Sequence, residues 1–519
     1  MTGPPRRELR WGWLAVAAVP ALFLGYFFLY PLARILALGL SELGVGASGV
    51  EDRLFRVGWF TFWQATVSTV LTFLVAAPMT WAVGRYEFRG RQLAMALVTV
   101  PFVLPTVVVG TAFVALGWRD SIGAILAAHV FFNVAVVVRT VGSQWRRLDP
   151  DLLHAAATLG ASPRQVMRRI TLPLLRPSLA AAASIVFLFT FTSFGVILIL
   201  GGYRFATLEV EIYRQAVVLF DIPLAAVMAV VQLIGVSTAL YLYSRYQERH
   251  SASWEVSSDA SVPSPTGRTK WWVYAAVAGT LAALAMPLVT LVRRSMGYYR
   301  DLFDTELVVG DPGAAIRNSL LTAAVATAVA LVVGMMAATI VSHRSGKLSR
   351  WFDTTLMLPL GTSAVAIGLG FIVALDWPID LRASLILVPM AHALIAIPFV
   401  VRITLPAMRS IDPDLRSAAS TLGASPWRVW RRVDLPLVSK AALVATGFSL
   451  VISLGEFGAT SFVARPNTST IPTLIFRLLS RPGESSFGMA MALSVILAAL
   501  TAGIILWVDR FRAGDIGSF

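Results

Sequence analysis

Few side chains capable of chemistry lie in the apolar stretches of this sequence, and they are far apart along the chain. Glu456 is an acidic residue inside one apolar stretch, and His129 and His392 lie inside two others. An ionisable side chain is costly in an apolar environment, so it usually faces a pathway or a polar partner. Two roles are open for Glu456: a polar contact in a pathway or near its gate, and a structural hydrogen bond between helices. For the two histidines, hydrogen bonding is favoured over metal binding.

The residues needed for common enzyme chemistry are missing from the sequence. It contains no Cys, which excludes a disulfide framework, a thiolate metal site and a cysteine nucleophile. No G-x-x-x-x-G-K-[ST] run is present to hold nucleotide phosphates. No group of His and carboxylate residues has metal-ligand spacing. We predict no catalytic residue, no metal site and no cofactor in this chain.

The isolated polar residues lie on apolar stretches that are long enough to cross a membrane. Of the 519 residues, 57% are hydrophobic and 14% are charged, and the mean hydropathy is +0.74. A bilayer needs about 20 apolar residues per helix, and continuous apolar runs indicate helices rather than strands. We predict an all-α polytopic membrane protein with twelve transmembrane helices, at residues 13–40, 60–83, 93–116, 122–138, 180–200, 224–243, 272–292, 315–341, 352–375, 381–403, 441–463 and 487–508.

Two polar stretches between these spans have almost the same sequence. The first polar loop, residues 149–174, reads DPDLLHAAATLGASPRQVMRRITLPL, and the second polar loop, residues 412–437, reads DPDLRSAASTLGASPWRVWRRVDLPL. They align without a gap at an offset of 263 residues (412 − 149 = 263), with 18 of 26 positions identical. We expect both loops to be docking elements for a partner outside the membrane.

The repeat extends into the spans and includes the isolated polar residues. At the same offset His129 matches His392, and Ser193 matches Glu456. Parallel repeats of this kind have a pathway between them. Glu456, Ser193, His129 and His392 are therefore candidates for the pathway or its gate.

The repeat and the distribution of charge predict the organisation of the chain. We expect two tandem six-helix units, residues 1–243 and 271–519, joined by a linker at 244–270 that is rich in Ser, Pro and charge. The net charge of +15 is concentrated in short loops, which is typical of the cytoplasmic side of membrane proteins and argues against nucleic acid as a partner. Both polar loops, the linker and both termini then lie in the cytoplasm. We expect the N-terminal apolar run to be a retained span rather than a cleaved signal peptide.

Each polar loop has the signals of two short helices separated by a turn. An Asp-Pro step can begin the first helix, and a Gly suits its C-terminal cap. A Ser-Pro step can begin the second helix, which ends before a Leu-Pro step. The residues are Asp149, Pro150, Gly160, Ser162, Pro163, Leu172 and Pro173 in the first loop, and Asp412, Pro413, Gly423, Ser425, Pro426, Leu435 and Pro436 in the second.

This pattern resembles the coupling loop of ABC-importer permeases, which is EAA, three residues, G, nine residues and I-x-L-P. Both loops keep the Ala-Ala, Gly and Leu-Pro frame, and they carry His154 and Ser417 where the family has Glu. The ATPase-coupling residues that the resemblance implies are His154, Ala155, Ala156, Gly160, Ser162, Pro163, Leu172 and Pro173, and Ser417, Ala418, Ala419, Gly423, Ser425, Pro426, Leu435 and Pro436.

The resemblance implies the fused transmembrane subunit of a binding-protein-dependent importer in a bacterial plasma (inner) membrane. In such importers each coupling loop fits a groove on a cytoplasmic ATPase subunit. Two copies of that subunit would dock here, and ATP with Mg would be bound on those partners. An extracytoplasmic binding protein would deliver a small solute, and ATP-driven closure of the two ATPase subunits would alternate access across the lipid bilayer. The chain itself would not be an enzyme, because ATP hydrolysis would take place on the partner subunits.

The sequence leaves the solute open between thiamine and ferric iron. SFGVILILGG, from residue 193, resembles thiamine permeases, whereas GEFGAT, from residue 455, is shared with ferric, sulfate and molybdate permeases. Glu209, Glu211 and Tyr213 fall in a predicted outer loop, where they would contact the binding protein or be solvated.

Two other classes of protein remain as alternatives. An ion-gradient-driven secondary transporter with twelve spans fits the span count and the parallel halves. A membrane-embedded enzyme would need paired polar groups within the spans, and the sequence shows only isolated ones.

Overall fold

A computed structural model describes residues 8–43, 50–250, 263–304, 310–343, 346–465 and 468–512. Most of these residues are helical, and none of them is in a strand. Residues 251–262 of the predicted linker lie outside the described residues; at its two ends, helices reach His250 and begin at Gly267.

The helices of the first half alternate long segments with short ones. They are α1 (Glu8–Leu24), a π-helical turn (Gly25–Leu29), α2 (Tyr30–Leu43), α3 (Val50–Arg85), α4 (Arg91–Val103), α5 (Thr106–Ala115), α6 (Ile122–Arg146), α7 (Pro150–Thr158), α8 (Pro163–Val166), a π-helical turn (Met167–Thr171), α9 (Leu172–Phe191), α10 (Gly195–Leu200), α11 (Leu208–Tyr213), a π-helical turn (Arg214–Val218) and α12 (Ile222–His250).

The second half follows the same order. Its helices are α13 (Gly267–Ser295), a 3-10 turn (Asp301–Phe303), α14 (Pro312–His343), α15 (Lys347–Gly361), α16 (Ala364–Ala374), α17 (Leu387–Arg409), α18 (Pro413–Thr421), α19 (Pro426–Val429), a π-helical turn (Trp430–Asp434), α20 (Leu435–Gly455), α21 (Gly458–Val463), α22 (Ile471–Leu479) and α23 (Glu484–Arg512).

The number of membrane spans agrees with the prediction. In the described parts of the chain, 10 continuous helical segments are long and apolar enough to cross a bilayer, and two bent pairs bring the total to 12 when each pair is one span. The all-α polytopic fold class is confirmed.

The third span of each half is bent, which corrects the straight helices predicted at 93–116 and 352–375. α4 and α5 meet at 97°, and residues 349–361 of α15 meet α16 at 102°. In the first half, Pro105 follows the bend and forces Leu104 into extended backbone, with ψ of 141°. In the second half Ser363 takes that position and caps α16, accepting a hydrogen bond of 3.0 Å from the N–H of Ala366.

The fifth span of each half differs from the predicted 180–200 and 441–463. Its helix begins within the polar loop, at Pro163 or Pro426, and ends at Phe191 or Gly455. A break of two or three residues follows before a separate short helix, α10 or α21. Polar residues lie in each break, Thr192 and Ser193 or Glu456, but apolar residues continue on both sides of it, so the apolar pattern did not reveal it.

The described residues form two compact units, and each contains a first span from the other half of the sequence. One unit comprises the described parts of Ala47–Glu211 and Val231–Gly297, and includes α13. There the ring of Tyr274 lies 5.8 Å from that of Phe88, centroid to centroid. The predicted boundaries at 243 and 271 divide the chain by its sequence repeat, and they stay a prediction. The compact units divide the chain by its contacts instead.

The other unit comprises the described parts of Met1–Gly46, Ile212–Val230 and Tyr298–Phe519. Leu24 and Phe28 of the N-terminal span are 1% and 3% exposed and belong to its hydrophobic core. The rings of Phe27 and Phe371 lie 6.0 Å apart, centroid to centroid. The first span is therefore an integral part of the core of this unit.

In each half a glycine lets the second arm of the bent span approach the short helix after the fifth span. A Cβ at Gly110 would lie 3.0 Å from Ile199, and a Cβ at Gly368 would lie 3.0 Å from both Phe462 and the Cα of Ala459. The two glycines match at an offset of 258 residues (368 − 110 = 258), and their partners match at 263 (462 − 199 = 263). The repeat thus preserves a close helix contact based on a small residue.

We expect Gly368→Ala to lower the free energy of unfolding by about 1–3 kcal/mol, because the Ala459 backbone cannot move away from the added methyl group. Gly110→Ala should cost less, since it meets only the Ile199 side chain. Gly279→Ala in α13 is the control, because nothing lies within 4 Å of its Cβ position. Thermal unfolding in detergent micelles measures the change in stability of the three variants. Equal losses would contradict the packing argument.

Candidate functional site

The first helix of each polar loop begins as the sequence predicts. Asp149 accepts a hydrogen bond of 2.9 Å from the N–H of Asp151, and Asp412 accepts one of 2.9 Å from Asp414. A proline occupies the start of both helices, where its missing N–H leaves no bond unmade.

Each first helix ends in a glycine cap, which is the same in both loops. Gly160 and Gly423 have φ of +81° and +79°. The Gly160 N–H donates to the Ala157 carbonyl at 3.0 Å, and the next N–H, of Ala161, donates to Ala156 at 3.0 Å. The second loop has the equivalent bonds from Gly423 and Ala424. This is the Schellman arrangement, in which a left-handed residue is usually Gly.

The second helix begins differently in the two loops. Ser162 and Gln165 form a capping box: the Ser162 N–H donates to the Gln165 side chain at 2.8 Å, and the Gln165 N–H donates to the Ser162 hydroxyl at 3.4 Å. Ser425 is at the matching position but makes no such side-chain bond. Part of the reason is in the sequence: Arg428 replaces Gln165 and has no acceptor atom for the Ser425 N–H, so a capping box cannot form.

The second helix does not end before the Leu-Pro step, so that prediction is wrong. It continues through a π-helical turn into the fifth span, as one helix at 163–191 and at 426–455. In the π-turns the N–H groups of Leu172 and Leu435 bond to Met167 and Trp430, five residues back. The wider turn accommodates Pro173 and Pro436, which lack the N–H that an α-helix would use. Each polar loop is thereby joined rigidly to a span.

The two loops present a surface of small and apolar side chains. Ala155 and Ala418 are exposed, and Ala156 and Ala419 are half-buried. Leu159 and Leu422, directly before the glycines, are each 88% exposed. The sequence analysis missed these leucines. The available signal was that both loops have a Leu directly before the Gly. His154 lies in α7, and its side chain is outside the description.

In the first half, His129 joins three separate parts of the chain. It is 2% exposed, and its Nδ1 lies 3.1 Å from the Ser68 hydroxyl of α3. Its Nε2 lies 2.9 Å from the Ser193 hydroxyl, in the break between α9 and α10. Both ring nitrogens are thus hydrogen-bonded to hydroxyl groups.

In the second half, His392 braces the matching break together with Glu456. The His392 Nδ1 lies 2.7 Å from the Ser453 hydroxyl, and its Nε2 lies 2.7 Å from the Thr460 hydroxyl and 3.1 Å from Glu456 Oε2. Glu456 also accepts from the N–H groups of Ala459 at 2.7 Å and Thr460 at 3.0 Å, and from the Thr460 hydroxyl. Its carboxylate therefore caps the N-terminus of α21.

The structure thus brings the isolated polar residues of the sequence together in pairs. His129 contacts Ser193, and His392 contacts Glu456. The repeat positions were informative, but a contact between residues 64 apart in sequence follows from the fold alone. Both histidines make the hydrogen bonds between helices that the sequence favours. Among the residues with described positions, no group of three or more His, Asp or Glu could hold a metal ion.

Glu209 and Glu211 are not in a solvated loop, which corrects that expectation. They lie in α11 and are 0% and 2% exposed. Gln232 donates a hydrogen bond to Glu209, and the guanidinium of Arg53 lies 3.3 Å from Glu211. They brace α11 against α12 and α3.

The sequence of the chain matches one protein family twice. Residues 76–253 and 330–513 each match the binding-protein-dependent transport system inner membrane component family. The chain belongs to this family. Each matched region includes one polar loop and the break that follows the fifth span. The capped loop and the histidine pair therefore occur once in each matched region. The chain is accordingly a multi-pass ABC-importer permease, and its relatives are transport permeases rather than enzymes.

Curated inner membrane components are similar over nearly the whole chain. The thiamine transport system permease protein ThiP of Brucella suis biovar 1 is 30% identical over 95% of both chains. The ThiP proteins of Brucella abortus (strain 2308) and Salmonella typhimurium are 29% identical over 95% and 26% identical over 96% of both chains. The similarity therefore covers both halves of the repeat.

Proposed function

We propose that this permease imports thiamine with a separate ATPase and an extracytoplasmic binding protein. Two ATPase copies dock on the two polar loops in the cytoplasm, where both termini also lie, and they carry the ATP and Mg. Their closure moves α7 and α18, and access then alternates between the two halves. Similarity to thiamine permeases over both halves is the observation that carries the choice of solute. The matched exposed residues Ala155, Leu159, Ala418 and Leu422 support the docking role, because the helix after each glycine cap continues into a span.

The solute is tested with the permease, its ATPase and its binding protein reconstituted in nanodiscs. Binding protein loaded with thiamine should raise ATP hydrolysis by about tenfold, which is within the usual range of coupling between two sites. The same binding protein without solute, or mixed with ferric iron, should leave the rate unchanged. Stimulation by ferric iron but not by thiamine would contradict the proposed solute.

The source of energy is tested in vesicles. Uptake should stop when ATP is removed and continue when an uncoupler collapses the ion gradient. The opposite result would favour the ion-gradient-driven secondary transporter, the alternative that the span count left open.

A further inference from the structure

The second polar loop contains an ion pair that the first cannot form. Arg416 of α18 donates from Nε to the carboxylate of Asp434 at 2.7 Å, and from Nη2 to the Met408 carbonyl at 3.1 Å. The two side chains are only 19% and 6% exposed. At the matching positions of the first loop the sequence has Leu153 and Thr171, which carry no charge.

The position of Arg416 links three elements through one guanidinium group. Met408 is in the last turn of α17, where carbonyls have no partner within the helix. Asp434 ends the π-helical turn that leads into α20. Arg416 itself is in the middle of α18, two residues before the exposed Ala418 and six before the exposed Leu422. A planar guanidinium with five donors suits such a junction, and a charged pair with low exposure is little weakened by solvent.

We propose that Arg416 and Asp434 are positioning residues that clamp the second polar loop to the fourth and fifth spans of its half. The clamp makes α18 move together with α17 and α20. The sequence of the first loop has uncharged residues at these positions, so this ion pair belongs to the second loop alone. The role in transport rests on the proposed docking of the loops to the ATPase, whereas the clamp itself does not.

The clamp is tested in the full chain without any partner, by spin-label distance measurements. The chain contains no Cys, so one label pair can be introduced at Leu422 of the second loop and Ser439 of α20. The matching pair is Leu159 of the first loop and Arg176 of α9. Arg416→Leu should broaden the distance distribution of the second pair and leave the first unchanged. The double variant Arg416→Leu with Asp434→Thr gives the second loop the residues of the first. It should narrow the distance distribution of the second pair again. An unchanged second pair, or equal broadening of both pairs, would overturn the proposal.

The consequence for transport is measured on the complex with the ATPase subunit and the binding protein. Arg416→Leu should lower uptake per ATP hydrolysed by about tenfold, within the usual range of coupling between sites, while the ATPase subunit still co-purifies. The double variant should recover coupled uptake. Broadened distances with normal coupling would remove the clamp from the transport mechanism. Loss of ATPase binding by the unsubstituted chain would instead contradict the proposed function and leave the distance result standing.

Discussion

Glu456→Ala is expected to lower the free energy of unfolding of this permease by about 3–5 kcal/mol. Glu456 is 7% exposed and accepts hydrogen bonds from two backbone N–H groups, from the Thr460 hydroxyl and from His392. Alanine would leave the N–H groups of Ala459 and Thr460 buried without an acceptor, at the N-terminus of a short helix that has no other side-chain cap. Unfolding by SDS titration, followed by circular dichroism, measures the loss.

Two variants separate the structural role of Glu456 from a role in the pathway. Glu456→Gln keeps a carbonyl oxygen that can accept from the backbone, so it should cost clearly less than alanine. Ser193→Ala, at the matching position of the first half, removes one hydrogen bond from His129 and should cost about 1 kcal/mol. If Glu456→Ala keeps full stability but loses uptake, the residue is a pathway group and the structural interpretation is wrong.

What could be predicted from the sequence is local in origin. The Asp-Pro start and the Gly cap of each polar loop depend on residues within five positions of one another, and the structure has both. The difference between Ser162 and Ser425 was also readable, because a capping box needs Gln or Glu three residues later. The apolar runs predicted the spans, since a bilayer fixes their length.

What could not be predicted depends on packing between distant segments. The pairing of His129 with Ser193 depends on how α6 lies beside the fifth span, and the burial of Glu209 depends on Gln232 in another helix. The exchange of first spans leaves no signal in composition, because α1 and α13 are apolar whichever unit they join. The bend at Leu104 was visible as a Leu-Pro step, but an uninterrupted apolar run hid it.

Gly160→Glu with Gly423→Glu should abolish uptake and binding of the ATPase subunit, while the permease still inserts into the membrane. Both glycines have positive φ, so any other residue strains the cap by about 1–2 kcal/mol. Nothing lies within 4 Å of either Cβ position, so the new side chains would project from the loop surface without a clash. A carboxylate would then stand beside Leu159 or Leu422, which are each 88% exposed. Burying an unpaired charge against the partner opposes docking.

Matched controls separate the charge from the strain of the backbone. Gly90 also has positive φ, of +88°, with nothing within 4 Å of its Cβ position, but it lies between α3 and α4. Gly90→Glu should therefore lose about as much stability as either loop substitution alone and keep ATPase binding, as measured by co-purification and by uptake. Gly160→Ala with Gly423→Ala applies the strain without the charge and should weaken binding only partly. Normal co-purification of the ATPase with the double Glu variant would exclude the polar loops as its docking elements. Equal loss with Gly90→Glu would assign the effect to folding, because that residue is outside both loops.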